Sequence, residues 1–328
     1  MIIARRRILT AAVLTLGVLA GSMLPATAES SKSAVKTKVV ATTGMIADAA
    51  RRVGGDLVEV KALMGPGVDP HAYRQTRTDI AAMTRADLVL WHGLYLEAQM
   101  EDFMHGLDDR QKVVAVAEAL PKNVLLGHDD YDDKYDPHVW MNPNLWTKVV
   151  LAVRDALAEI RPDDREAFEA NASAHLNDVG ELANYASKVL SSVPAESRVL
   201  LTAHDAFNYF GSAYGFEVLG IQGISTESEA GLNRIAELVD MLVERDIRAV
   251  FVESSVSDRN IRALVEGAAA RGHEVMVGGE LFSDAMGTDG TYEGTYLGMI
   301  DHNTTTITRA LGGDAPDRGM RGMLAAGS

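Results

Sequence analysis

Residues 38–64 read KVVATTGMIADAARRVGGDLVEVKALM. An apolar run over 38–44 reads as a strand. The amphipathic stretch 45–55, stopped by a glycine pair, reads as a helix, and 57–64 reads as the next strand. Outward from this unit the rhythm continues: RTDIAAMTRA (77–86) as helix, DLVLWHG (87–93) as strand, EAQMEDFMHGL (97–107) as helix and KVVAVAE (112–118) as strand. Such alternation predicts a parallel sheet with helices on both faces.

A second series starts at RVLLTAH (198–204). Further strands are expected at FEVLGI (216–221), IRAVFVES (247–254) and HEVMVGG (273–279), with helices at 205–215, 232–246, 258–272 and a closing helix at 294–311. Each half thus supplies four strands. Between the halves, Phe168, Ala172, Leu176, Val179, Leu182, Ala186, Val189 and Val193 recur three or four apart, as on one face of a single helix bounded by Pro162 and Pro194. Roughly 30 residues at about 1.5 Å rise make a strut of about 45 Å, long enough to join two domains. The alternative is a long crossover helix within one sheet. The fold expected is α/β: two lobes, each a four-stranded parallel sheet flanked by helices, joined by one long linking helix. Boundaries fall at 1–28, 29–162 (N-terminal lobe), 163–194 (linking helix), 195–312 (C-terminal lobe) and 313–328, a glycine-containing tail expected to fray.

The totals bound the function. A chain of 328 residues suits two domains. A formal net charge of −15 argues against nucleic acid and anionic membrane as partners, since both require a basic footprint. Residues 1–28 place Arg5, Arg6 and Arg7 before an apolar run ending in Ala26-Thr27-Ala28, the pattern of a secretory signal peptide cleaved after Ala28. There is no cysteine, so the exported protein relies on its core rather than on disulfides. A lipid-anchored form would need a cysteine at the cleavage point, so a free periplasmic protein is expected.

Open α/β sheets bind ligands beyond the carboxyl ends of their strands. GPGVDPH, ending at His71, follows the second strand, and DPH, ending at His138, follows the fourth. His204 closes the fifth strand, and Asp284 follows the eighth. If the halves face each other, three imidazoles and one carboxylate converge in the interlobe cleft. That donor set suits a divalent transition metal, zinc above all, whereas magnesium and calcium demand mostly oxygen. The Asp-Pro before His71 and His138 stiffens the backbone that delivers each ring. Taken singly, each histidine would more often be a surface or core residue, and Asp284 a loop or capping carboxylate.

GVDPHAYRQTRTDIAAMTRADLVLWHGLYLE, DPHVWMNP, LTAHDAFNYFGSAYGFEVLGIQGISTESEAG, FVESS and GGELFSDAMG together resemble the metal receptors of bacterial ABC importers, the cluster A-I (TroA-like, ZnuA-like) solute-binding proteins. The resemblance spans roughly residues 35–312. It implies two α/β lobes on one rigid helix, with the family's ligand positions falling on His71, His138, His204 and Asp284. It further implies delivery of the metal to an inner-membrane permease driven by an ATPase, from a monomer that a metal-loading chaperone could serve. Zinc receptors of this family often carry a long histidine-rich loop before the second ligand; here GHDDYDDKYDP is short, with His128 the sole histidine. Manganese receptors often have glutamate as third ligand, and His204 in that place favours zinc, with manganese the alternative.

The remaining candidates carry less. His92 follows a strand and could approach the site. Glu253, ending a strand, is expected to accept from the outer nitrogen of a ligating imidazole. Asp205 reads as an N-cap, Trp140 and Trp146 as core, and His105, His175, His273 and His302 as structural or exposed. The rival function is a zinc hydrolase, but Asp284 as a fourth ligand would close the shell to an activated water, and no His-Glu-x-x-His is present. A binding protein without enzymatic activity is expected.

Overall fold

Strand β1 (Thr37–Ala41) begins the ordered description in a computed structural model that covers residues 35–108, 111–128 and 131–325. The signal peptide expected over 1–28 lies outside the described residues, as does the side chain of His128. Helix α1 (Gly44–Gly54) turns Met45, Ile46, Ala49, Ala50 and Val53 inward. It stops at Gly55, whose φ of 54° is a conformation glycine adopts at little cost. Strand β2 (Val58–Ala62), helix α2 (Arg77–Thr84), strand β3 (Leu88–Trp91), helix α3 (Glu101–Asp108) and strand β4 (Lys112–Ala115) follow. The four strands form one parallel sheet in the order β2-β1-β3-β4. Alpha-2 starts from a reciprocal cap, in which Thr76 accepts from the Asp79 N–H and Asp79 from the Thr76 N–H.

Three elements, two short strands and a helix, add to those expected. Gly127–His128 (β5) and Tyr131–Tyr135 (β6) form a short antiparallel pair in the acidic segment read as loop. Helix α4 (Pro143–Ile160) starts on Asn142, whose Oδ1 accepts the Asn144 N–H at 3.0 Å, with Pro143 in its first turn. It buries Trp146, Val149, Val150, Val153 and Leu157, and packs along the linking helix α5 (Arg165–Leu190). Alpha-5 is 26 residues long, about 39 Å, and buries the expected stripe from Phe168 to Val189, with Leu176 half-buried.

Beyond α5 come β7 (Val199–Thr202), α6 (Asn208–Tyr214), β8 (Glu217–Gly220), α7 (Leu232–Glu244), β9 (Ala249–Glu253), α8 (Arg259–Ala270), β10 (Met276–Leu281) and α9 (Tyr296–Ala310). All four strands expected in this half are present. They ladder as two parallel pairs, β7 with β8 and β9 with β10, and β7 lies beside β9. The N-cap position of α6 is Phe207, not Asp205, because the chain turns sharply after His204 before the helix begins.

The described part of the tail, to residue 325, is anchored rather than frayed. Leu324 is fully buried, the Met320 N–H donates to both oxygens of the buried Asp301 at 2.9 and 3.0 Å, and Arg321 pairs with Asp178 and Glu181 on α5. These anchors lie within a segment whose glycines suggested only looseness. No described helix is long and apolar enough to cross a membrane.

Candidate metal centre

Both Asp-Pro-His segments fold the same way. Asp69 Oδ1 accepts the His71 N–H at 2.8 Å, and Asp136 Oδ1 accepts the His138 N–H at 2.9 Å. Each aspartate therefore wraps around its proline to cap the histidine two residues on, an Asx turn. The sequence reading credited the proline with the stiffness and missed this second constraint. The two copies then diverge. Asp136 Oδ1 also takes the Nδ1 of His138 at 2.7 Å, whereas the second oxygen of Asp69 accepts from the Thr226 hydroxyl at 2.5 Å.

His204 follows β7, where the Thr202 hydroxyl donates to its carbonyl at 2.8 Å. Glu253, at the end of β9, accepts the His204 N–H at 2.8 Å and meets its Nδ1 at 2.5 Å. Asp284 lies just past β10 on a backbone held from both sides. Asn303 bonds to the N–H and carbonyl of Phe282, and the indole N–H of Trp140 donates to the Ser283 carbonyl at 2.8 Å. Trp140 thus does more than fill core: it ties the His138 segment to the Asp284 segment. Trp146 stacks on Tyr296 with ring centroids 5.0 Å apart, as a core residue does.

The four side chains converge. Each of His71, His138, His204 and Asp284 is buried and offers a ligand atom within 4.8 Å of the others. The Nε2 atoms of His71 and His138 are 3.3 Å apart. Asp284 oxygens lie 3.2 Å from His204 Nε2, 3.4 Å from His138 Nε2 and 3.9 Å from His71 Nε2. Metal–ligand bonds of about 2.0–2.2 Å in a tetrahedron give ligand–ligand edges of about 3.3–3.6 Å, so the cluster is close to the size zinc needs. His204 Nε2 and both Asp284 oxygens are buried without a hydrogen-bond partner. Three orphaned atoms with lone pairs to offer, facing one point, fit a cation.

The protonation pattern has the same origin. Burial pushes the His71 imidazole down to about 3. Burial acts the same way on His138, but the Asp136 carboxylate outweighs it and carries the ring up to about 9. For His204 burial is likewise overridden, by Asp284 and Glu253, which hold it well above the usual value. Burial would raise Asp284, yet His204 and His138 beside it keep it well below the usual carboxylate range.

His92 stays outside the cluster. Its Nε2 lies 2.7 Å from the Pro137 carbonyl and its ring packs edge-on against Trp140, so it braces the strand-end backbone behind His138. Sequence reasoning also missed Glu97, fully buried, which accepts from the Thr42 hydroxyl and from the N–H groups of His92 and Gly93. Of the other histidines, His105 is exposed against Trp91, and His273 and His302 bond to the carbonyls of Ile247 and Glu280.

A family model described as the periplasmic component A of zinc-uptake complexes matches residues 39–310. The manganese-binding lipoprotein MntA of Bacillus subtilis is 49% identical over 84% of this chain and 89% of its own length. The zinc-binding protein TroA of Treponema pallidum is 44% identical over 93% of this chain and 99% of its own. The solved structure of that periplasmic zinc-binding protein superposes with a TM-score of 0.82 at 46% identity, covering 84% of this chain and 99% of that one. The Bacillus relative is by name a lipoprotein, so an untethered state, expected above from the lack of cysteine, does not hold across the relatives.

Proposed function

We propose that this chain, which belongs to the family of periplasmic A components of zinc-uptake complexes, captures zinc through His71, His138, His204 and Asp284 and delivers it to an ABC permease. The metal is cargo, and no substrate bond is broken. The observation that carries the reading is the set of inter-ligand distances of 3.2–3.9 Å around buried atoms that have no other partner. Three nitrogens and one oxygen favour zinc over the oxygen-seeking alkaline earths. With Asp284 in the fourth position, no ligand site is left for a hydrolytic water, which speaks for a receptor rather than an enzyme.

Manganese is the second reading, favoured by the name of the 49%-identical Bacillus relative. Protein stripped with a chelator and dialysed against equimolar zinc and manganese separates the two. One equivalent of retained zinc with little manganese supports the proposal. Equal retention of both removes the zinc preference, and retention of neither removes the metal-receptor reading.

A further inference from the structure

The segment carrying His138 belongs to the first half of the chain, yet part of its fastening comes from the second. The Asn208 side-chain amide donates to Asp136 Oδ2 at 3.2 Å. The adjacent Tyr209 hydroxyl donates to the Asp136 carbonyl at 2.9 Å and accepts the Leu126 N–H at 3.0 Å. Asn208 and Tyr209 open α6, only a few residues beyond His204. One short segment therefore bears one cluster imidazole and grips the carboxylate that supports another.

The consequence lies in how Asp136 divides its oxygens. Oδ1 serves His138 twice, through the backbone N–H and the ring Nδ1. Oδ2 faces Asn208. A carboxylate whose two oxygens are engaged by separate donors cannot rotate about its terminal bond without losing one of them. Asp136 is fully buried, so a donor lost there is not replaced by bulk water. We propose that Asn208 is a positioning residue for His138. From the opposite half of the chain it fixes the rotation of the Asp136 carboxylate, which, in the neutral ring that metal requires, keeps the proton of His138 on Nδ1 and turns the Nε2 lone pair into the cluster. His204 and His138 are then not independent donors, because displacing α6 disturbs both.

This inference rests on the cluster binding metal, but its test separates the two. Asn208→Ala removes the amide, and Tyr209→Phe removes the neighbouring hydroxyl while leaving the carboxylate's partners intact. Long-range 1H–15N correlation spectra of the metal-free protein at pH 10, above the value of about 9 at which the His138 ring gives up its second proton, report the tautomer, and chelator competition reports zinc affinity. Outer partners of ligating histidines typically contribute about 10–100-fold in affinity. Asn208→Ala is expected to sit near tenfold, with loss of the pure Nδ1–H signature at His138, while Tyr209→Phe retains that signature. An unchanged tautomer in Asn208→Ala, with or without weaker zinc binding, overturns the proposal, as does equal loss of the signature in Tyr209→Phe. Should the wild type hold no metal, the receptor reading falls while the tautomer spectra still decide the role of Asn208.

Discussion

Glu253 holds His204 at two points: Oε1 accepts its backbone N–H at 2.8 Å, and Oε2 faces its ring Nδ1 at 2.5 Å. The pair links the ends of β7 and β9, so a single carboxylate fixes both the position of the residue and the orientation of its ring. Only Nε2 is left to face the cluster. A glutamine at 253 can accept at one oxygen but presents an N–H where the other donor points. Glu253→Gln should therefore weaken zinc binding about 10–100-fold while leaving one equivalent bound at saturation. Chelator competition checks it, and an affinity within twofold of wild type would remove Glu253 from the binding machinery.

The tail from 313 onward should prove structural. Leu324 is buried, and Asp301, inside the fold, receives the Met320 N–H along with the hydroxyls of Tyr292 and Thr305. Truncation after Gly312 uncovers α9 and leaves that carboxyl short of a donor. A loss of about 3 kcal/mol is expected, from one buried leucine and one hydrogen bond to a charged group. Urea unfolding of the truncated, chelated protein gives the number, and an unchanged midpoint would mean that these contacts add nothing.

That tail shows where sequence patterns lose their grip. Its anchors are single residues, with Met320 and Arg321 reaching Asp301 and α5 and Leu324 buried, and no periodicity betrays them. The strands and α5 were legible because burial imposes a repeat, and the four cluster residues because each closes or follows a strand. Alpha-4 carries a readable signal in Asn142-Pro143 and in the spacing of Trp146, Val149, Val150 and Val153. Asn208 and Glu97 were not legible at all, and Asp136 only as part of the Asp-Pro that stiffens its loop. Asn208 depends on a contact across a long stretch of chain, with Asp136, and Glu97 on one with Thr42.

Glu97 should make stability depend on pH. Burial lifts its carboxyl from the ordinary 4.5 to about 7, against the opposing pull of Thr42, His92 and Gly93, which donate to it. In the folded protein the acid thus holds its proton to higher pH than in the unfolded chain. Between those values the native state binds more protons at Glu97, so the contribution of this group to stability is greatest below 4.5 and is lost as pH rises through about 7. The span corresponds to about 3 kcal/mol. Denaturant midpoints of chelated wild type and Glu97→Gln from pH 4.5 to 8 test this. The stability of wild type relative to the variant should decline as pH rises through this range, and identical slopes would place the pH dependence elsewhere.

Zinc itself should stabilise the fold, and Asp284 should govern how much. A ligand that binds only the native state adds about 2.7 kcal/mol at a hundredfold excess over its dissociation constant. In the metal-free protein the Asp284 carboxylate is also the negative charge that faces His138 and His204, at 3.4 and 3.2 Å. Asp284→Asn keeps the shape but removes that charge. Two outcomes are expected together: the zinc-induced rise in melting temperature shrinks to a small fraction of the wild-type value, and the chelated variant becomes less tolerant of acid, because protonated imidazoles lose their counter-charge. Calorimetry with and without zinc at pH 6 and 8 separates the effects. A variant that keeps the full zinc shift would show that three imidazoles suffice, which reopens the fourth position to water and with it the hydrolytic alternative.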